Sequence, residues 1–375
     1  MSEALPDVVR GGEASSGART PVPAAPLAAE TFGREVVSVF GLPFDVVDVQ
    51  QAVERIRSAA FAHRRCFVST PNVNFAVAAL EDAAFRSSVC RSDLVLADGA
   101  PIVRLAQWQG TPLPGRVAGA TVFDALRAHS GRPLNLFLFG GAPGVAERAR
   151  DALDASGGGL RCVGVDQGGM GDVHELGDPG TLDRINASGA HLLAVSLGAK
   201  KGQAWIEAQL ARLQVPVVCH LGAVFAFAAG AVARAPAPVQ RLGLEWLWRV
   251  KEEPQLWRRY GRDGVAAARW VAEDALRRVS MRPRGTEPDR VSGPTIETTP
   301  DGLRLAGVWT AGDRPALRDA LVARSASTAK DTVIDLSAVE RLDPQVVGLL
   351  QLASGHPRPG AFRPVGGARH LASFA

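Results

Sequence analysis

Two hydrophobic periods alternate along residues 35–222. EVVSVFGLPFDVV (35–47) reads as extended chain broken by a Gly-Leu-Pro turn, and VVDVQQAVERIRSAAFA (46–62) places Val49, Val53, Ile56 and Ala60 on one helical face. The same switch then repeats. RRCFVSTPN, DLVLADG, PLNLFLFGG, LRCVGVD, HLLAVSLGA and PVVCHLG predict strands ending in polar or Gly-rich turns. VNFAVAALEDAAFRSSVC, APIVRLAQWQG, PGVAERARDALDAS, GTLDRINASG and QAWIEAQLARL predict the helices between them. Such alternation predicts an α/β fold with a mostly parallel sheet covered on both faces.

The pattern also divides the chain. Residues 1–34 are rich in Ala, Gly, Pro and Ser without periodicity and read as a disordered tail. Residues 35–280 form the main α/β domain, whose end, 234–280, is a basic helical appendage. Over 234–284 there are twelve Arg or Lys against six Asp or Glu, with Trp246, Trp248, Trp257 and Trp270 among them. Residues 281–298 read as a Pro/Gly/charge linker. Residues 299–375 carry a second, small α/β unit patterned strand, helix, strand, helix.

Composition changes this picture little. A net charge of +4 is too weak to argue for nucleic acid as a partner. Cysteines 66, 90, 162 and 219 have neither CxxC nor zinc spacing and read as buried thiols of a reducing cytoplasm. The histidines show no HxxxH or HExxH, so no metal site is expected; no other cofactor is expected either. No secretory signal is visible at the N-terminus. Val215–Ala233 carries no formal charge, but Pro216, His220, Gly222 and Gly230 favour a buried strand and a short helix over a membrane span.

In open parallel sheets, chemistry gathers where strands end. Four such ends are candidates: Ser69-Thr70-Pro71-Asn72, Ala97-Asp98-Gly99, Gly140-Gly141-Ala142-Pro143-Gly144, and Gly198-Ala199-Lys200-Lys201-Gly202-Gln203. Asp98 suits a general base, ionised near neutrality, but spacing alone favours the commoner role of N-cap or turn residue before the helix that follows. GGAPG before a helix suits a phosphate cradle or a tight turn. With Asp166 at the next strand end, it leaves a dinucleotide-dependent oxidoreductase open as a weaker reading.

Residues 37–262 resemble the WecG/TagA/CpsF family of bacterial glycosyltransferases in six ordered blocks. These are TPNVNF (70–75), LADGAPIV (96–103), RVAGATVFDAL (116–126), FLFGGAPGVAERA (137–149), INASGAHLLAVSLGA (185–199) and GAVFAFAAGAVARAPAPVQRLGLEWLWRVKEEP (222–254). The resemblance implies a Rossmann-like sheet and metal-free, inverting transfer of an N-acetylhexosamine-type sugar. The donor is a UDP-sugar, the acceptor a lipid-diphosphate-linked sugar, and the product a cell-surface polysaccharide precursor. By motif, Asp98 is the base, with Thr70 and Asn72 beside it. Arg116 stands near the donor phosphates, and Gly140, Gly141 and Gln203 belong to the substrate pocket. Arg249, Arg258 and Arg259 of the basic segment reach diphosphate or anionic lipid. That places the protein in the cytoplasm, peripherally on the inner face of the membrane. Two positions depart from the family: Gly202 stands where the motif has Gln, and Ala226 where it has Asp. They motivate an alternative, a catalytically impaired regulatory or scaffold protein.

VIDLSAVERLDPQVVGLLQL (333–352) is similar to the STAS domain, a small α/β partner-binding module. The resemblance implies a protein partner or self-association. The phosphorylatable serine of that domain is absent, because its turn reads Asp343-Pro344-Gln345-Val346.

Overall fold

The structure, a computed structural model, describes residues 28–111, 113–169, 171–222, 224–241, 243–280, 293–327, 330–356 and 361–366. Helix α1 (Ala28–Gly33) precedes an antiparallel hairpin of β1 (Val36–Val39) and β2 (Leu42–Asp45). Phe40 and Gly41 make its turn at positive φ, 52° and 70°. Helix α2 (Val49–Phe61) starts at Asp48, which shares a reciprocal capping box with Gln51.

The main layer then builds up as β3 (Cys66–Ser69), α3 (Val73–Glu81), α4 (Ala83–Cys90), β4 (Leu94–Val95), α5 (Ala100–Trp108), α6 (Gly119–Ala128), β5 (Leu134–Gly140) and α7 (Val145–Ser156). It continues as β6 (Leu160–Asp166), α8 (Pro179–Ala187), β7 (Leu192–Ser196), α9 (Ala199–Gln209) and β8 (Val217–His220). The expected single helix over 73–90 is two, because the Asp82 side chain caps a new start by accepting from the Phe85 N–H.

The six strands β3–β8 form one parallel sheet in the order β4-β3-β8-β7-β5-β6. Their side chains alternate between two cores. Val68, Leu94, Leu136, Ala194 and Cys219 meet α2, α6 and α7, while Phe67, Phe139, Val195 and Val218 meet α8 and α9. After β3 the chain turns to α3, which packs on α4 and α9; after β8 it turns to α10 (Val224–Ala228), which packs on α6 and α7. Neighbouring strands whose connections leave on opposite faces open a crevice at their carboxyl ends.

Helices α11 (Ala237–Arg241), α12 (Glu245–Glu252) and α13 (Trp257–Ser280) complete this part. Helix α13 lies on α3, with the Trp270 ring 4.7 Å from that of Phe40. Among the described residues no helix is long and apolar enough to cross a membrane.

The small unit comprises β9 (Thr295–Thr299), β10 (Gly302–Trp309), α14 (Arg314–Ser327), β11 (Thr332–Leu342), α15 (Pro344–Gly355) and β12 (Phe362–Val365). Its sheet order is β12-β11-β10-β9, parallel except for the β9–β10 pair. Two sequence boundaries need correction. The tail expected over 1–34 ends in α1, whose fully buried Phe32 packs in the core of the small unit. The linker expected over 281–298 ends earlier, since β9 begins at Thr295. A lone aromatic residue two positions from the end of an aperiodic stretch carries no periodic signal, and neither does a strand whose side chains are mostly exposed. Residues 1–27 of the tail, 281–292 of the linker and 367–375 of the expected small unit lie outside the described residues.

The two units touch closely. Helix α15 packs on β1, β2 and α4. A Cβ at Gly348 would sit 3.0 Å from Val36 Cγ2, and one at Gly355 would sit 2.6 Å from the Cys90 carbonyl oxygen. These two glycines, two helical turns apart, let the helix approach backbone directly. Arg314 donates to the carbonyls of Phe32 and Arg34, tying α14 to the end of α1.

Candidate active site

The carboxyl ends of β3 and β4 bring Thr70 and Asp98 to one point, the N-terminus of α6. Asp98 N–H donates to the Pro71 carbonyl (3.0 Å), and its Oδ2 accepts from the Gly119 N–H (3.3 Å). Gly119 is also the floor under Thr70: a Cβ there would lie 3.2 Å from Thr70 Cγ2 and 2.9 Å from Leu221 Cδ2. Val117 N–H donates to the Ala97 carbonyl, so residues 116–119 run beside 97–98. The N-cap of α5 is Gly99, without a side-chain cap, so Asp98 does not serve that helix.

Burial pushes the Asp98 carboxyl up to a pKa of about 6. The Gly119 N–H and the Arg116 and Arg234 guanidinium groups oppose that rise, and the Glu245 carboxylate adds to it. The result is a carboxylate still largely ionised at neutral pH yet basic enough to take a proton.

Arg116 is held by Glu245, the first residue of α12, in a two-pronged ion pair whose Nη2–Oε1 arm is 3.0 Å. Arg234 pairs with Asp124 and donates to Thr121 Oγ1 (3.0 Å). Asn72 caps α3, its Oδ1 accepting from the Phe75 N–H (3.1 Å).

Gly140 and Gly141 lie at φ +88° and +93°, where L side chains rarely go. Close approach adds to that need: a Cβ on Gly140 would lie 2.7 Å from the Ser196 carbonyl oxygen, which also accepts from the Gly141 N–H. The Phe225 ring closes over Gly141, its Cδ2 3.3 Å from the place of a Cβ. Asp166, the candidate ribose ligand, instead pairs with Arg184 (2.6 Å) and accepts from the Gly168 N–H.

Gln203 lies beneath the strand ends. It is fully buried, and its Nε2 donates to Ser69 Oγ, which is linked to Ser92 Oγ at 2.7 Å. It supports the end of β3 from beneath, and its Oε1 is buried without a partner. The three appendage arginines have local partners. Arg249 pairs with Glu253 over the Phe227 ring, Arg258 lies over Trp257 and Arg259 over Tyr260.

Sequence reasoning missed Glu245, Arg234 and His220. The first two lie inside the last family block, but their partners are 129 and 110 residues away, so only the fold reveals them. His220, at the end of β8, is buried with Nε2 unpartnered. Burial pushes its pKa down to about 4, against a bond to the Gly198 backbone, so the ring is neutral. It fills the space over Gly202, where a Cβ would sit 2.3 Å from His220 Cδ2. The glycine that departs from the family motif therefore makes room for this ring.

Among the described residues no three His, Cys, Asp or Glu side chains are grouped to hold a metal ion. A parallel sheet with one titrating carboxylate among cations at its carboxyl edge is the layout of a group-transfer enzyme. The chain belongs to the WecG/TagA/CpsF family of glycosyltransferases, which it matches over residues 37–280. Residues 293–363 match the Mlab-type STAS domain.

Curated relatives are similar over the same region. The N-acetylglucosaminyldiphosphoundecaprenol N-acetyl-beta-D-mannosaminyltransferase of Bacillus spizizenii is 26% identical over 198 residues, covering 52% of this chain and 75% of the relative. The protein of the same name from Staphylococcus aureus strain MW2 is 25% identical over 229 residues, covering 60% of this chain and 87% of that protein.

Proposed function

We propose that this glycosyltransferase moves an N-acetylhexosamine-type sugar, with inversion, from a UDP-sugar to a lipid-diphosphate-linked sugar during cell-surface polysaccharide synthesis. The observation that carries the reading is Asp98, a carboxylate of raised basicity at the crevice between strand ends, facing the N-terminus of α6. The acceptor hydroxyl attacks the anomeric carbon and gives its proton to Asp98. The bond from that carbon to the UDP oxygen breaks, and UDP leaves with the electron pair. Thr70 and Asn72 line the reacting centre. Arg116 and Arg234 stabilise charge on the leaving diphosphate, helped by backbone N–H groups of the Gly140-Gly141 turn.

Names borne by the relatives support N-acetylmannosamine as the sugar and an undecaprenyl-diphosphate N-acetylglucosamine as the acceptor. The acceptor's lipid calls for a membrane surface. Trp246, Leu247 and Trp257 are 43%, 46% and 60% exposed on α12 and α13, beside Lys251, Arg258 and Arg259. Apolar rings among cations suit the anionic inner face of a cytoplasmic membrane. Arg249, Arg258 and Arg259 serve that face or the acceptor diphosphate. The STAS-like unit offers a surface for a protein partner or a second copy.

The deciding experiment measures UDP release from a panel of UDP-sugars with a lipid-diphosphate N-acetylglucosamine acceptor. Release that needs both substrates and is lost in Asp98→Asn supports transfer. Donor binding without release supports the scaffold reading, which the altered Gly202 and Ala226 positions favour.

A further inference from the structure

We propose that Glu245 is a positioning residue: it occupies the guanidinium of Arg116 in the empty enzyme, latches α12 over the Asp98 edge, and gives way when a diphosphate arrives. The inference rests on the sugar-nucleotide reading above and adds a residue and a motion to it.

Arg116 is the cation nearest in sequence to the Asp98–Gly119 contact, yet both prongs of its guanidinium are taken by one carboxylate. A two-pronged carboxylate and a phosphate make the same demand on that fork. The pair is not buried structural glue, since its side chains are 19% and 28% exposed and water and ligand can reach them. Glu245 and Arg116 both act electrostatically on the Asp98 carboxyl, so displacing Glu245 changes the field at the base.

Helix α12 is built to move. None of its residues is buried. Its side chains hold the body through the Arg116–Glu245 pair, Trp248 Nε1 donating to the Ala233 carbonyl (3.1 Å), Arg249 over the Phe227 ring, and the Trp246 ring 6.2 Å from that of Tyr260 on α13. The preceding elbow touches the catalytic edge directly. Gly243, at φ +73°, leaves only 2.4 Å between the place of a Cβ and Ala100 Cβ, two residues after Asp98. Freeing Glu245 therefore frees the start of a helix whose elbow covers the first turn of α5. The same helix carries exposed Trp246 and Leu247, so latch release couples donor arrival to the posture of that apolar face.

The test uses the full-length protein and UDP. Calorimetry compares wild type, Glu245→Gln and Arg116→Ala, and hydrogen exchange follows residues 245–252 with and without UDP. Removing the competing charge should tighten UDP binding roughly tenfold, the scale of one charge-assisted contact. Arg116→Ala should erase that gain, and UDP should raise exchange in 245–252 of the wild type. A Glu245→Gln protein that unfolds at the wild-type temperature but binds UDP no tighter overturns the latch. So does wild-type α12 exchange that UDP leaves unchanged or lowers, a result that needs no variant. Turnover on UDP-sugars reads the transfer mechanism separately. Intact turnover with no gain in affinity sinks the latch alone, while UDP-driven opening without turnover on any donor sinks the transfer reading alone.

Discussion

Asp98→Asn should make the protein more stable as it makes it inactive. The carboxyl titrates at about 6 in the fold because burial disfavours its charge. In the unfolded chain an aspartate titrates near 3.9. Between those values the native state holds a proton that the unfolded state has released. Stability therefore falls as pH rises through that window, and the whole cost is present above it. A gap of roughly two pH units corresponds to about 3 kcal/mol, and water reaching the cleft mouth brings the expected figure to about 1–3 kcal/mol at pH 7.5. Asparagine keeps the shape and can still accept from the Gly119 N–H, but carries no charge. Urea unfolding of the variant should show that gain at pH 7.5 and about a third of it at pH 4.5. Turnover should drop by roughly 100-fold or more, the scale of a lost general base, and wild-type kcat/KM should rise with pH through about 6, the value for the free enzyme. A variant no more stable than wild type at pH 7.5, or one that turns over normally, would refute the reasoning.

Restoring the family residue should backfire: Gly202→Gln drives a side chain into the buried His220 ring, 2.3 Å from the new Cβ, and should cost roughly 1–3 kcal/mol in urea unfolding. Adding His220→Ala should recover part of that loss, and simple additivity of the two changes would show that they do not share the space. Removing residues 293–375 should lower the unfolding temperature of the remainder and expose apolar surface to a dye, because Phe32 and the β1–β2 hairpin lose α15 and the small unit's core; an unchanged melt would show that the contact stabilises nothing. The protein should float with anionic vesicles and be released as salt rises, and Trp246→Ser with Trp257→Ser should weaken binding; flotation unaffected by either change would remove α12 and α13 from the membrane surface. Phosphate-dependent partner binding should be absent at the turn leading α15, since Pro344 and Gln345 have no hydroxyl to modify; mapping such an interaction to residues 343–346 would contradict this.

Local rules carried most of the architecture. Strand and helix periods are set by which side chains face a core, so the β3–β8 alternation, the parallel sheet and the second α/β unit were all legible along the chain. So were Thr70 and Asp98, because strand ends carry the polar groups of an open sheet. Position in space was not legible. Gln203 looks like a loop residue in the sequence, yet it lies in the second turn of α9, which turns it under Ser69 and away from solvent. Glu245 and Arg116 lie 129 residues apart, and their pairing depends on how α12 crosses the sheet edge, which no local propensity specifies. Phe32 is one apolar residue in an unpatterned segment until the core of a unit that begins more than 250 residues later closes around it. Periodicity tells a side chain whether to be buried; only the packing of distant elements tells it against what.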